Sequence, residues 1–327
     1  MAAFLSKLFR PKVLIPLVLG AGILVALFAF ADARKVVRLM SGFQHLSLLY
    51  FLLLILAYEV VRGAQWHFLL TALDIHVPLR TQIFVFAIGE ITKLLPIGNY
   101  FQNYLLQESK GTDFGLSSAA TTMVVLVEVA VSLVGVTLLG LGGWTGWLRP
   151  IIIVGTLVFA GAVWAFIRLH HAGHAPAWLT RHVWWLKVAE ELRRFRGGAA
   201  AILHPRIVAI AVALGVVYLT FGGAALYIAI TGLGIGGVSF GEALAVYFFS
   251  LAFSLIFPLP IDLGVAEISG AGALIAVGAE KSAAVSIVII NRILSVGSSV
   301  LIALVVALIL HGEFRAAMRT TPRRLAR

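Results

Sequence analysis

The side chains able to do chemistry lie inside apolar stretches. Glu59, Arg62, Glu90, Lys93, Asn99, Gln102, Asn103, Glu128, Asp262, Glu267, Asn291 and Arg292 all interrupt sequence that is otherwise apolar or small. A charge inside a membrane is costly, so such residues face a protected cavity and pair with one another. Glu59 with Arg62, and Glu90 with Lys93, stand three residues apart, which makes each pair neighbours on one helical face. Mutual neutralisation is one expectation for both pairs; the other is that Glu59, Arg62, Glu90 and Lys93, with Glu128, belong to the substrate-binding set. Arg292 is different, because its near neighbours on its own helix are apolar or small. A guanidinium there suits bidentate capture of a phosphate or carboxylate. A structural tie to Glu128, Asp262 or Glu267 is the alternative. Helix N-termini just after Pro96 and Pro260 would also offer free N–H groups to an anion.

Catalysis draws less support from these residues. Asp262 and Glu267 could act as acid and base, and the same two acids fit helix capping or ion pairing. No catalytic residue, metal ligand or cofactor is assigned, and the chain is read as non-enzymatic. His67 and His76 lack metal-ligand spacing with any nearby set. His170, His171 and His174 read as exposed loop residues. No Walker loop, dinucleotide fingerprint or nucleophile elbow occurs. With no cysteine, disulfides, thiolate metal sites and cysteine nucleophiles are excluded.

The elements that must position these residues follow from composition. The 327 residues are 61% hydrophobic and 12% charged, against about 25% charged in a soluble domain. Several apolar runs exceed the roughly 20 residues that cross a bilayer as a helix. The expected fold is an all-α polytopic membrane protein, one transmembrane domain over 1–327. The net charge of +11 points to cytoplasmic loops and anionic lipid headgroups rather than nucleic acid. Lys7, Arg10 and Lys12 precede a run from Val13 to Phe30, longer than a signal core of about 7–15 residues. It reads as an uncleaved first span, about 13–31. Further spans are expected at about 46–73, 115–141, 150–168, 206–231 and 282–311. Shorter segments fall at 79–95, 99–111, 239–258 and 264–278. Residues 169–205 are basic, either an amphipathic segment on the headgroups or a solvated connection. The tail 312–327 is also basic.

The chain repeats itself. The offset that takes Leu95-Pro96-Ile97 to Leu259-Pro260-Ile261 also takes Ser118-Ala119-Ala120 to Ser282-Ala283-Ala284. It sets Glu128 opposite Arg292 and Asn103 opposite Glu267. The two repeats run about 46–168 and 206–311. Paired broken segments are the best sequence pointer to a transporter site. If each broken segment is a re-entrant hairpin, about six full spans remain and both termini are cytoplasmic. Most of the 25 Lys and Arg then fall inside, as the positive-inside rule asks. Three spans separate the hairpins, which inverts the second relative to the first. Their tips near Pro96 and Pro260 then approach each other at mid-membrane.

A family resemblance rests on two motifs. Pro258-Leu259-Pro260-Ile261-Asp262-Leu263-Gly264-Val265-Ala266-Glu267, followed by Asn291-Arg292-Ile293-Leu294, resembles the Pro-x-Pro-Gly-Gly-Leu-Gly-x-x-Glu … Tyr-Arg-Leu-Leu signature of the lysylphosphatidylglycerol synthase transmembrane-region family. Leu95 to Leu106 is similar to its first motif, Gly-Glu-x-x-Arg followed by Tyr-Leu-Leu. Asn99 stands where the family has Glu, and Gln102 where it has Arg. Ile261 and Asp262 replace two glycines. The resemblance implies flippase-like lipid translocation, or support of an envelope-lipid biosynthetic enzyme, in the cell (inner) membrane. Lipids with polar or anionic headgroups, glycolipids and polyprenyl- or hopanoid-type lipids are the implied substrates. Arg292, Glu267 and Asp262 would line the path with Asn99, Gln102 and Asn103 opposite.

Overall fold

The computed structural model describes residues 41–92, 100–140, 152–161, 183–256 and 264–310, with a few single positions besides. Secondary structure among the described residues is α-helical throughout. The helices are α1 (His45–Ala72), α2 (Leu79–Thr92), α3 (Phe101–Lys110), α4 (Phe114–Gly140), α5 (Ile152–Gly161), α6 (Val183–Ile202), α7 (Pro205–Gly232), α8 (Phe240–Ile256), α9 (Val265–Ala276) and α10 (Lys281–Ile309). Helices suit a chain this apolar, since in lipid every backbone group must bond within its own segment. α1, α4, α7 and α10 are long and apolar enough to cross a membrane. The protein is an all-α polytopic membrane protein. The first span at 13–31, the segments 93–99 and 257–263 with their prolines, and the tail from 313 lie outside the described residues.

Two runs of helices share one pattern. α1 to α4 have 28, 14, 10 and 27 residues. α7 to α10 have 28, 17, 12 and 29. Their packing is reciprocal: α2 lies on α10 while α8 lies on α4, and α1 meets α10 as α7 meets α4. α1 and α7 join the halves and run antiparallel. Gln44 N at the start of α1 donates to Gly232 O at the end of α7 (3.0 Å). Near the opposite ends, Gln65 Nε2 donates to Ala211 O (2.7 Å).

α1 and α7 end alike. Asp74 (φ 57°) and Gly234 (φ 68°) take the left-handed conformation after their helices. Ile75 N bonds back to Leu70 O (3.0 Å) and Ile235 N to Ile230 O (3.2 Å), the Schellman pattern that satisfies last-turn carbonyls. Thr71 and Thr231 hydroxyls donate to the carbonyls of His67 and Tyr227. The segments are Thr71-Ala72-Leu73-Asp74-Ile75 and Thr231-Gly232-Leu233-Gly234-Ile235, a further likeness between the two runs of helices that sequence reading missed.

α1 and α4 are also antiparallel, since Arg62 bonds Glu128 and Trp66 bonds Thr121. The end of α1 and the start of α4 therefore share one end of the bundle. α2 starts level with His67, whose Nδ1 shares a 2.5 Å hydrogen bond with Gln82. By Glu90 it has reached Arg62, in the body of α1. α3 opens against Thr121 through Gln102 and Asn103 and closes beside the first turn of α4. α6, from the basic segment, docks at this same end. Arg194 pairs with Asp113, and Gly115 N donates to Glu191 Oε2 (2.8 Å). Gly198 fits against Leu116 and Ala119, where a Cβ would come within 2.9 Å of the leucine.

Candidate functional site

The expected residues divide into two clusters. The first is closed. Buried Arg62 reaches from α1 between α2 and α4, with Nη1 2.5 Å from Glu90 Oε1 and Nε 2.7 Å from Glu128 Oε1. The expected Glu59–Arg62 neutralisation is corrected here. Arg62 serves two acids on other helices, while Glu59 accepts a hydrogen bond from Ser299 Oγ of α10 (2.7 Å). The physical reason is that a buried ion pair repays its desolvation only with short, well-directed bonds. The partners across the bundle supply them. Lys93 lies outside the described residues, and so does its pairing with Glu90.

Gln102 and Asn103 belong to a seam rather than to a path. Their side chains meet the Thr121 hydroxyl at 3.1 and 3.0 Å, where Trp66 Nε1 also arrives at 3.2 Å. Both are buried. Gly89 of α2 holds Gln102 in place, since a Cβ there would stand 2.8 Å from its Oε1. The expectation that these two amides line the path opposite Arg292 is therefore corrected. Asn99 lies outside the described residues.

The second cluster is open. A cavity of about 250 Å³ lies between α1, α2 and α7 to α10. Its walls carry Glu59, Glu90, Glu267, Asn291 and Arg292, with Ser250, Ser254, Ser295 and Ser299, and the rings of Tyr58 and Tyr247. Glu128 stays behind Arg62 and does not reach it. Glu267 Oε2 accepts from Gly264 N (2.6 Å) in a capping-box bond that starts α9. Gly264 has φ 104°, a conformation that glycine takes at no steric cost. The other oxygen of Glu267 stands 3.3 Å from Arg292 Nε. Of the ties left open for Arg292, this is the one found among the described residues; Asp262 lies outside them. The Arg292 side chain remains 26% exposed, against 2% for Glu267. Ser250 Oγ donates to Ala266 O (2.7 Å), and Gly270 sits close to Ser250 and Val288, which locks α8, α9 and α10 around the arginine.

This arrangement offers a partly exposed guanidinium and an amide beside three carboxylates and several hydroxyls. The volume falls below the roughly 300–1,000 Å³ of pockets for drug-sized ligands, so it suits a headgroup and not a whole lipid. Among the described residues no three His, Asp or Glu side chains gather as metal ligands. Sequence reading missed the serines and tyrosines of the wall. Their signal was helical spacing, Tyr247, Ser250 and Ser254 on α8 and Ser295 and Ser299 on α10, with Tyr58 one residue before Glu59 on α1.

Among protein families, the model of the lysylphosphatidylglycerol synthase TM region matches residues 13–304. No curated protein matches the chain.

Proposed function

Because the chain belongs to the lysylphosphatidylglycerol synthase transmembrane-region family, we propose that it is a flippase-type lipid transporter. Its substrate is a lipid with a polar or anionic headgroup, glycolipids and polyprenyl- or hopanoid-type lipids included. α2 with α3, and α8 with α9, act as re-entrant hairpins in an inverted repeat. Three features support that reading: the antiparallel run of α1 and α7, the reciprocal packing of the halves, and the return of α3 to the end from which α2 departs. The headgroup enters the cavity beside Arg292 while the tails stay in lipid. The protein resides in the cell (inner) membrane with both termini cytoplasmic. Membrane lipids are its direct partners, and an envelope-lipid biosynthetic enzyme docking at the α6 end is a further one.

One observation carries this proposal. Arg292, well inside the long apolar helix α10, faces a headgroup-sized cavity, and a charge within such a span is costly unless something compensates it. The test is reconstitution into liposomes that carry headgroup-labelled lipids on one leaflet. Wild-type protein is expected to speed their exchange, and Arg292→Ala to slow it by tenfold or more, about the weight of a charge-assisted contact. Identical rates for the two proteins across all candidate lipids would refute the assignment.

A further inference from the structure

We infer that the outward face of α6 is a docking surface for the anionic headgroup layer of the membrane, so that this helix lies along the lipid surface instead of standing in water. Of the two expectations for residues 169–205, this is the amphipathic one. Neither the Arg292 cavity nor the transport reading enters it.

The inner side of α6 is fixed by its contacts. Glu191 Oε2 accepts from Gly115 N (2.8 Å), and Asp113 Oδ1 accepts from Leu116 N (3.0 Å). The two acids share the N–H groups that the start of α4 would otherwise leave unbonded. Arg194 pairs with Asp113, Gly198 lies on Leu116 and Ala119, and Ala199 and Ile202 are buried. These partners, Asp113 to Ala119, belong to the start of α4. At its other end Leu203 N bonds Ala199 O (3.1 Å), and α7 begins two residues later at Pro205. α6 is thus held level with the first residues of two apolar spans, the depth at which headgroups lie. It is no span itself, because Lys187, Glu190, Glu191, Arg193, Arg194 and Arg196 all fall within its 20 residues.

With that side fixed, the opposite side is set by helical spacing. Arg193, Arg196 and Ala200 stand three and four residues apart and fall on the side turned away from α4. Leu192, Arg196 and Leu203, four and seven residues apart, form its flank. Leu192 and Leu203 are 40% and 42% exposed, and the Arg193 side chain is 78% exposed. Leucines beside arginines on one exposed face suit a helix lying in the interface. The apolar side chains dip into the acyl boundary, and the guanidiniums reach the phosphates. Charge points the same way. Residues 168–206 hold seven Lys and Arg against two Glu. Both acids are already engaged, Glu191 by Gly115 N and Glu190 by Arg193 and Arg194 at 2.9 Å each. The surplus is positive, and an anionic headgroup layer complements it at about 1 kcal/mol per basic residue.

The experiment places a nitroxide at Ala200→Cys in the full-length protein, which has no other cysteine. The labelled protein is held in nanodiscs of phosphatidylcholine alone, or of phosphatidylcholine with phosphatidylglycerol. Power saturation compares its access to oxygen, which concentrates in lipid, with its access to a water-soluble nickel chelate. Gly236→Cys, in the connection after α7 with open space around it, is the water-exposed reference. With phosphatidylglycerol present, the Ala200 label is expected to be shielded from the chelate while the Gly236 label stays open to it. Each arginine near an anionic surface shifts the balance between lipid-held and water-exposed helix about fivefold. Arg193→Gln with Arg196→Gln is therefore expected to move that balance about 25-fold toward water, whereas the double change to Lys keeps the shielding. High salt weakens it. If a double change unsettles the fold, lipid composition and salt acting on the Ala200-labelled chain alone still decide. A label open to the chelate in both nanodiscs overturns the inference. So does equal shielding in both, which makes the contact independent of anionic charge. Shielding in native membrane vesicles but in neither nanodisc puts a protein on this face and overturns the lipid as its partner.

Discussion

Tyr58 and Tyr218 meet edge to face, their ring centroids 5.1 Å apart and their planes at 87°. The two hold equivalent positions on α1 and α7, in the register that also pairs Gly63 with Gly223 and Thr71 with Thr231. In a two-fold arrangement a position touches its own counterpart only where the axis passes. On the inverted-repeat reading proposed above, these rings mark the axis that relates the halves. Because α1 and α7 are antiparallel, that axis lies across the helices rather than along them. The cavity lies beside it, bordered by Tyr58, Glu59 and Gly222.

The aromatic contact is measurable. Edge-to-face pairs contribute about 0.5–1.5 kcal/mol beyond area burial. A double-mutant cycle with Tyr58→Leu and Tyr218→Leu is expected to return a coupling of that size in denaturant unfolding of the detergent-solubilised protein. Additive effects would remove the pair from the account of how the halves are joined.

The Arg62 cluster gives a sharper test of what is structural. Glu128→Ala leaves Arg62 with Glu90 alone, and Arg62→Ala leaves two buried acids facing each other. Breaking a buried ion pair on one side costs about 3–5 kcal/mol. Replacing all three by neutral residues of similar size (Arg62→Met with Glu90→Gln and Glu128→Gln) is expected to cost far less than either single change. A triple variant less stable than both singles would mean that the ions hold α1, α2 and α4 together by their charge, and not only because each needs the others.

Much of this design was legible in the sequence, for identifiable reasons. The prolines at 96 and 260 and the ionisable residues Glu128 and Arg292 share one register, which is what made α2 to α4 and α8 to α10 readable as two similar runs. α1 and α7 did not, because the connection after α7 is one residue longer than that after α1 and α8, with 17 residues, is three longer than α2, with 14, which together break the register. Helical spacing located the charges and failed to pair them. It compares a residue only with neighbours on its own helix, and Arg62 found both its acids elsewhere. The same blindness placed Gln102 and Asn103 on the path, when Thr121 and Trp66 hold them in a seam.

The docking of α6 depends on acid. Glu190 is held below the ordinary carboxylate value by hydrogen bonds from Arg193 first and Arg194 second. Such a group binds fewer protons folded than unfolded. Its contribution is therefore present above the ordinary carboxylate pKa and is lost as pH falls through the lowered one. Arg194 also pairs with Asp113 at the start of α4, so protonation of Glu190 frees the arginine side chain that Glu190 steadies for the joint between helices. Spin labels at Gly197→Cys, where open space surrounds the residue, and at Lys110→Cys report this distance. The distribution is expected to stay narrow at neutral pH and to broaden below the carboxylate range, with Glu190→Gln broad at both. Since the pair is exposed, the effect is on local order and not on global stability. A distribution unchanged at every pH would remove Glu190 from the joint.

The two halves can be told apart by which side of the membrane their ends face. The chain has no cysteine, so a single one introduced by mutation is read without background. Lys110 ends α3 and Lys281 begins α10, and both are exposed. If α2–α3 and α8–α9 each return to the side they entered from, Lys110 and Lys281 lie on opposite sides. If each pair of short helices instead makes one full crossing, an extra crossing precedes Lys110 and two precede Lys281. Both positions then fall on the same side. A membrane-impermeant maleimide applied to intact cells and to inverted vesicles separates these cases. Lys281→Cys is expected to react from outside and Lys110→Cys only from the cytoplasmic face, where the basic segment bearing Arg193, Arg194 and Arg196 also belongs by the charge rule. Labelling of both from one side would end the hairpin reading, and with it the expectation that two tips meet at mid-membrane.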